Sequence, residues 1–415
     1  MIDKEQEPTE PCTDSLFTSF LGKTSIFKNK KVFQYNHTPD NIPHRQDQIK
    51  QVANILAPTL RLNKPSNLFI YGKTGTGKTL TVLHTTQSLK KVAQQQNIPI
   101  TILYFNCKLK RVADTEYRLI AQLAREFGKE IPVTGLPTDE IYKTFYTVLD
   151  EKEQIVLIIL DEIDQLVKKV GDEILYNFTR INAELKKAQL SLIGISNDLM
   201  FVDSLDPRVK SSLSEEELVF PPYNALQIQD ILRERAADAF NAGAISAGVI
   251  EKCAARAARE HGDARMALEM LRVAGEIADR TNAPCVTLEH LDTAEEKIEK
   301  ERVMDLIITH PRQFQCVFYA LLKLFKQTSQ PALTGEAYQL YQKLCAIAKL
   351  RPLTQRRFSD IVGELDMLGI ITARVTSKGR YGRTKEILSS LAPDLQQRVV
   401  DVLEKELGIT GGTHG

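Results

Sequence analysis

The segment Gly72-Lys73-Thr74-Gly75-Thr76-Gly77-Lys78-Thr79 limits what this chain can fold into more than any other stretch. It fills the pattern G-x-x-x-x-G-K-[ST], and its surroundings agree. Apolar Leu68-Phe-Ile-Tyr71 precedes it as a strand, and helical spacing follows from Thr79 to Gln95. Gly72, Gly75 and Gly77 let the backbone turn tightly and aim its N–H groups inward, around phosphates. The following helix adds its positive end. Lys73, Thr74 and Thr76 complete the loop, Lys78 is suited to bridge β- and γ-phosphates, and the Thr79 hydroxyl is suited to ligate Mg²⁺. The expected cofactors are therefore ATP or ADP with Mg²⁺.

A second motif lies downstream. The apolar run Ile155–Leu160 ends in Asp161-Glu162, so a central strand delivers two carboxylates beside the loop. Asp161 is suited to hold Mg²⁺ and Glu162 to orient and deprotonate an attacking water. An acidic pair at a strand end can also cap the next helix, here Ile163–Lys169, but its pairing with the phosphate loop favours ATP hydrolysis.

Texture divides the chain. From about Phe33 to Pro222, apolar runs alternate with amphipathic helical patterns. Asn67–Tyr71, Ile100–Asn106, Ile155–Leu160, Leu190–Ser196 and Leu218–Phe220 read as buried strands of a parallel sheet. From Asn224 to about Glu301 every segment reads as helix, with breaks at Gly243, Gly262 and Pro284. Beyond Val303 come three helices, near Gln313–Lys326, Gly335–Lys349 and Gln355–Leu368, and then a hairpin of Ile370–Thr376 and Thr384–Leu388. No apolar run is long enough for a membrane span. The acidic, polar N-terminus does not read as a secretory signal. Six scattered cysteines without a CxxC pair fit free thiols in a reducing cytoplasm, and the expected location is cytoplasmic, with the nucleoid.

Three further positions follow the acidic pair in order. Asn197 ends a strand and is placed to polarise the lytic water. Arg208, in Asp206-Pro-Arg208, is placed like an arginine finger for a neighbouring subunit's nucleotide. Arg265, in Gly262-Asp-Ala-Arg265, can sense the γ-phosphate from the lid. Taken with Pro43-His44-Arg45, the motifs Asp161-Glu-Ile-Asp164, Ile195-Ser-Asn197 and Tyr223-Asn-Ala-Leu-Gln-Ile228, and the run Gly262-Asp-Ala-Arg-Met-Ala-Leu268, the chain resembles the archaeal origin-recognition proteins. These are relatives of the eukaryotic origin-recognition subunit one and of cell division control protein six. The likeness extends from about residue 15 to 400. Clamp loaders typically carry a Ser-Arg-Cys finger, which this chain lacks.

The resemblance implies an α/β fold: an AAA+ P-loop core with an αβα parallel sheet and a helical lid, followed by an α+β winged-helix domain. The domains expected are a flexible tail over 1–25, the ATPase core over 26–222, the lid over 223–302, the winged helix over 303–400 and a tail over 401–415. It also implies that His44 and Arg45 lie over the adenine, with Tyr223 and Ile231 closing the pocket. It places DNA contacts in an insert after the second strand, at Lys129, Thr134 and Gly135. The implied partners are double-stranded origin DNA, an MCM-type replicative helicase and homologous initiator paralogues, with no membrane.

The residues themselves carry the DNA reading furthest at the C-terminus. The net charge of +1 hides an asymmetry, since residues 303–400 hold 14 Lys/Arg against 7 Asp/Glu. Thr354 can cap a helix whose Phe358, Ile361, Val362, Leu365 and Leu368 face a core, leaving Arg356 and Arg357 free for a groove. The hairpin then carries Arg374, Lys378, Arg380, Arg383 and Lys385 with no acid between Thr372 and Lys385, and Gly379 and Gly382 bracket Tyr381. Such a basic wing suits phosphates or a minor groove. The expected function is an ATP-switched replication initiator. The competing readings are a P-loop signalling or transcription regulator whose winged helix serves protein contacts or promoters, and a clamp loader or remodelling ATPase.

Overall fold

A computed structural model of the chain describes residues 25–34, 37, 39, 41–108, 115–132, 135–213, 215–327, 331–377 and 383–409. These pack as two compact units that divide between Asp292 and Thr293, inside the continuous helix Leu288–Thr309.

The first unit is built on five strands: β1 (Leu68–Tyr71), β2 (Ile100–Asn106), β3 (Gln154–Asp161), β4 (Ala188–Ser196) and β5 (Glu216–Val219). All pair in parallel, in the order β2-β3-β4-β1-β5. Every residue of β3 is buried, which explains its unbroken apolar run: a parallel sheet covered on both faces has no solvent side to alternate with. Val156, Ile158 and Leu160 pack with Leu119, Leu123, Phe145 and Phe178 on one face. Ile155, Leu157 and Ile159 pack with Val52, Leu56 and Val82 on the other. This is an αβα core of the AAA+ type. Because β4 lies between β1 and β3, with Tyr71 opposite Ser196 and Ile195 opposite Asp161, all three strand ends emerge side by side.

The lid consists of helices Ala225–Ala239, Val249–Arg259 and Ala264–Arg280 with the start of Leu288–Thr309. Residues 26–34, expected within the core, pack on this lid instead. Phe27 stacks on Phe240 with ring centroids 4.6 Å apart, the Ile26 N–H donates to Asp279 at 3.0 Å, and Lys30 pairs with Glu276 at 2.6 Å. The tail read over 1–25 lies outside the described residues except for Ser25.

The second unit is a winged helix. Helices Arg312–Gln327, Thr334–Ile347 and Gln355–Met367 surround one core with a three-stranded sheet. Its strands are β6 (Ala332–Leu333), β7 (Ile371–Ser377) and β8 (Arg383–Ser389), in the order β6-β8-β7. The tail expected from residue 401 is different: helix Pro393–Leu407 runs through it and buries Val399, Val400, Leu403 and Leu407. The acids at 401, 404 and 406 mask that apolar spacing in the sequence. No helix among the described residues is long and apolar enough to cross a membrane.

Candidate nucleotide site and nucleic-acid surface

The glycine loop leaves β1 and enters helix Lys78–Gln95 through Gly77, whose φ of +86° only glycine adopts freely. Lys78 is buried. Its ammonium donates to the carbonyls of Gly72 and Lys73, both at 2.7 Å, and to Asn197 Oδ1 at 2.9 Å. The structure therefore brings together the loop lysine and the end of β4. Burial pushes the Lys78 pKa down to about 8, Asp161 pulls it upward, and Arg265 adds to the fall. A polyphosphate would supply the missing negative charge here. Thr76 is buried and donates its hydroxyl to the Lys73 carbonyl at 2.8 Å, while Thr74 is exposed.

Asp161 stands at the end of β3. Its Oδ2 accepts from the Thr79 hydroxyl at 2.9 Å and from the Tyr104 hydroxyl at 2.8 Å, and its Oδ1 accepts the Glu162 N–H at 3.0 Å. A hydroxyl and a carboxylate oxygen at this spacing are hard donors that fit Mg²⁺, which takes one or two protein oxygens and completes its shell with phosphate and water. Glu162 sits in left-handed backbone at φ 55°, and its Oε2 is buried without a hydrogen-bond partner among the described residues. A buried acceptor without a partner is costly, so this oxygen is open to a donor from a water or ligand at the site.

The lid closes directly on the loop. The Ala264 N–H donates to the Gly75 carbonyl at 3.3 Å, and a Cβ at Gly75 would overlap the Asp263 carboxylate. Asp263 caps its helix by accepting the N–H groups of Arg265 and Met266 at 2.8 and 3.1 Å. Arg265 is exposed, yet its charge is felt at Lys78. Lys73 reaches His261 Nδ1 at 3.1 Å, and His44 meets Asp230 on the first lid helix at 3.0 Å. Ile231 is buried on the same helix.

Arg45, expected with His44 over the adenine, is engaged with the protein itself. Only 2% exposed, it donates to the Thr76 carbonyl at 2.9 Å, the His44 carbonyl at 3.1 Å and the Pro221 carbonyl at 2.6 Å. Its guanidinium lies 3.8 Å from the centroid of the Tyr223 ring, itself buried, whose hydroxyl would stand 2.9 Å from a Cβ at Gly77. Arg45 and Tyr223 thus form a clamp behind the loop that ties it to the strand-to-lid hinge.

Arg208 opens the short helix Pro207–Leu213 and is 76% exposed, its guanidinium held by Asp206 at 3.0 and 3.2 Å. That leaves it on the surface and oriented. In the insert, helix Glu116–Glu126 begins on a Thr115 cap, and Gly128, Lys129 and Gly135 follow on exposed backbone; Thr134 lies outside the described residues.

On the winged helix, the Thr354 hydroxyl accepts the Arg357 N–H at 3.4 Å. Phe358, Ile361, Val362 and Leu365 are buried, and Arg356 and Arg357 are exposed. Arg357 shares its charge with Asp360 at 3.7 Å. Arg374 is exposed, and the register of β7 and β8 sets Glu386 directly opposite it. Lys378, Gly379, Arg380 and Tyr381 lie outside the described residues, as does the side chain of Arg383. Two groups that meet the site were not singled out from the sequence. Tyr104 lies in a strand with no motif, and the only signal for Asp263 is that it precedes Ala-Arg in the lid motif.

Residues 61–199 match the family described as an AAA domain, residues 229–296 the Cdc6 AAA+ ATPase-type lid domain, and residues 305–398 the CDC6 C-terminal winged helix domain. The chain is 54% identical over 384 residues to the ORC1-type DNA replication protein of Thermococcus onnurineus, covering 92% of each chain. It is 55% identical over 384 residues to that of Pyrococcus abyssi, covering 92% of this chain and 91% of the other. Among solved structures it is similar to the Aeropyrum pernix ORC1 protein in complex with DNA, with a TM-score of 0.81 and 42% identity over 92% of this chain and 98% of the other.

Proposed function

This chain belongs to the family of ORC1-type DNA replication proteins, and from that premise we propose that it is an ATP-dependent initiator that binds origin duplex DNA. The observation that carries the proposal is the near-full-length likeness to an ORC1 protein solved in complex with DNA. Within the chain, the convergence of Lys78, Thr79, Asp161 and Asn197 beside the ends of the central strands β1, β3 and β4 supports the nucleotide half of the reading.

On this reading the loop N–H groups and Lys78 hold the phosphates, and Thr79 and Asp161 hold Mg²⁺. Bound Mg²⁺ supplies charge neutralisation across the phosphates. Glu162 takes a proton from a water that Asn197 polarises, while Arg265 reports the γ-phosphate to the lid. Arg208 serves the nucleotide of an adjoining paralogue. Because the lid helix rests on Gly75 itself, the phosphate state sets the lid, and hydrolysis acts as a slow switch. The arginines of helix Gln355–Met367, the wing residues Lys378, Gly379, Arg380, Tyr381 and Arg383, and Lys129, Thr134 and Gly135 of the insert grip the duplex, and the ATP-bound assembly recruits an MCM-type helicase.

The test is fluorescence anisotropy with an origin-repeat duplex and a scrambled duplex, with ATP and with ADP. The expected result is tighter binding of the origin duplex, weakened in Arg380→Ala and Arg383→Ala. Equal binding of both duplexes by all three proteins would reject the DNA assignment.

A further inference from the structure

We infer that Tyr104 is a positioning residue for the metal-binding carboxylate, fixing Asp161 so that it receives Mg²⁺ in one orientation. The inference rests on the reading above that Thr79 and Asp161 hold the ion.

Tyr104 lies on β2, next to β3, and its register partner is Ile159. Asp161 pairs with Asn106, so Tyr104 stands diagonal to the carboxylate on the same face of the sheet, within reach of a long side chain. Its neighbours Leu103 and Phe105 point into the opposite core. Tyr104 stands on the edge strand and is 39% exposed, so core packing does not call for a ring here; the phenol reaches across and donates to Asp161 Oδ2 at 2.8 Å.

That oxygen has a second donor, Thr79, and the two differ in what happens on metal binding. The Thr79 oxygen is committed to the ion, so its hold on the carboxylate changes. Tyr104 stands on a neighbouring strand, and the Glu162 N–H is fixed in backbone at Oδ1. These two donors pin the carboxylate at both oxygens, whether or not Thr79 is engaged. A carboxylate pinned in this way loses little rotational freedom when the ion arrives. Partners of this kind commonly change metal affinity roughly 10-fold to 100-fold when removed.

The experiment uses the full chain with bound ADP and reads Mn²⁺ binding by the loss of its free electron-paramagnetic-resonance signal. It also reads ADP affinity in excess chelator and the thermal midpoint. Tyr104→Phe is expected to weaken Mn²⁺ binding roughly tenfold, with the thermal midpoint and metal-free ADP affinity unchanged. Asp161→Asn, run alongside, is expected to weaken it further. If Asp161→Asn weakens Mn²⁺ binding and Tyr104→Phe does not, the role of Tyr104 is overturned while the metal site stands. If neither variant weakens it, the metal site itself is wrong. If Tyr104→Phe lowers the midpoint and metal-free ADP affinity together, the phenol is structural and the inference also fails.

Discussion

At Gly75 there is no room for a side chain, because the Asp263 carboxylate occupies the place of a Cβ and the backbone sits at φ +68°. Gly75→Ala is therefore expected to push the lid helix off the loop. Backbone strain of this kind costs about 1–3 kcal/mol, and ADP affinity measured by calorimetry should fall with it; unchanged affinity would mean that the lid can seat elsewhere. A second residue-scale effect is remote from the site. Asp150 accepts the N–H groups of Lys186, Lys187 and Ala188 at 3.0, 2.6 and 2.9 Å, which holds its carboxyl below the ordinary range. A carboxylate depressed in the folded state contributes stability above its unfolded pKa and loses it as pH falls through the folded one. Asp150→Asn should thus be less stable than the parent at neutral pH, with the gap closing as pH drops below the carboxylate range. A gap in thermal midpoint that is constant with pH would contradict the role.

Helix Pro393–Leu407 carries a prediction at the scale of elements. Leu403 and Leu407 are buried, and Glu404 accepts from the Tyr319 hydroxyl at 2.8 Å and pairs with Lys323 at 2.9 Å. Leu403→Ala should destabilise the C-terminal unit by about 2–5 kcal/mol in urea titrations, and ending the chain at Val400 should cost more. A true tail would show neither effect. The contrast with the rest of the fold is instructive. The central strands β1, β3 and β4 announce themselves because each is an apolar run that a doubly covered sheet demands, whereas edge strand β5 opens on exposed Glu216-Glu217 and is legible only from Leu218. Helix Gln355–Met367 is legible because Phe358, Ile361, Val362 and Leu365 keep one face. The last helix has the same spacing diluted by acids. The two-residue β6 has no local signature, since it exists only through its pairing with Ile387 and Glu386. Likewise the loop, Asp161 and Asn197 could be read from motifs, whereas the contacts of Tyr104 and Arg45 depend on which strands and loops meet in space.

For the whole molecule, exposure separates two kinds of arginine. Arg45 is enclosed and already satisfied, while Arg208 is exposed, paired with Asp206 and 5.8 Å from the centroid of the Tyr176 ring. Arg208→Ala is expected to leave ADP and ATP affinity unchanged in the single chain and to reduce ATP turnover only at concentrations, or on DNA, where chains assemble. Equal loss of turnover at all concentrations would show that the arginine acts within its own chain. The Arg45 clamp has a consequence in time. It joins Arg45 to Thr76 and Pro221, 31 and 176 positions further along the chain, so the loop is finished only when a distant segment arrives. On the ribosome, every residue of the glycine loop emerges long before Pro221, and during that interval the nascent chain carries the whole motif without the support that gives it shape. The last support of the loop thus arrives only when the core has been made to its end.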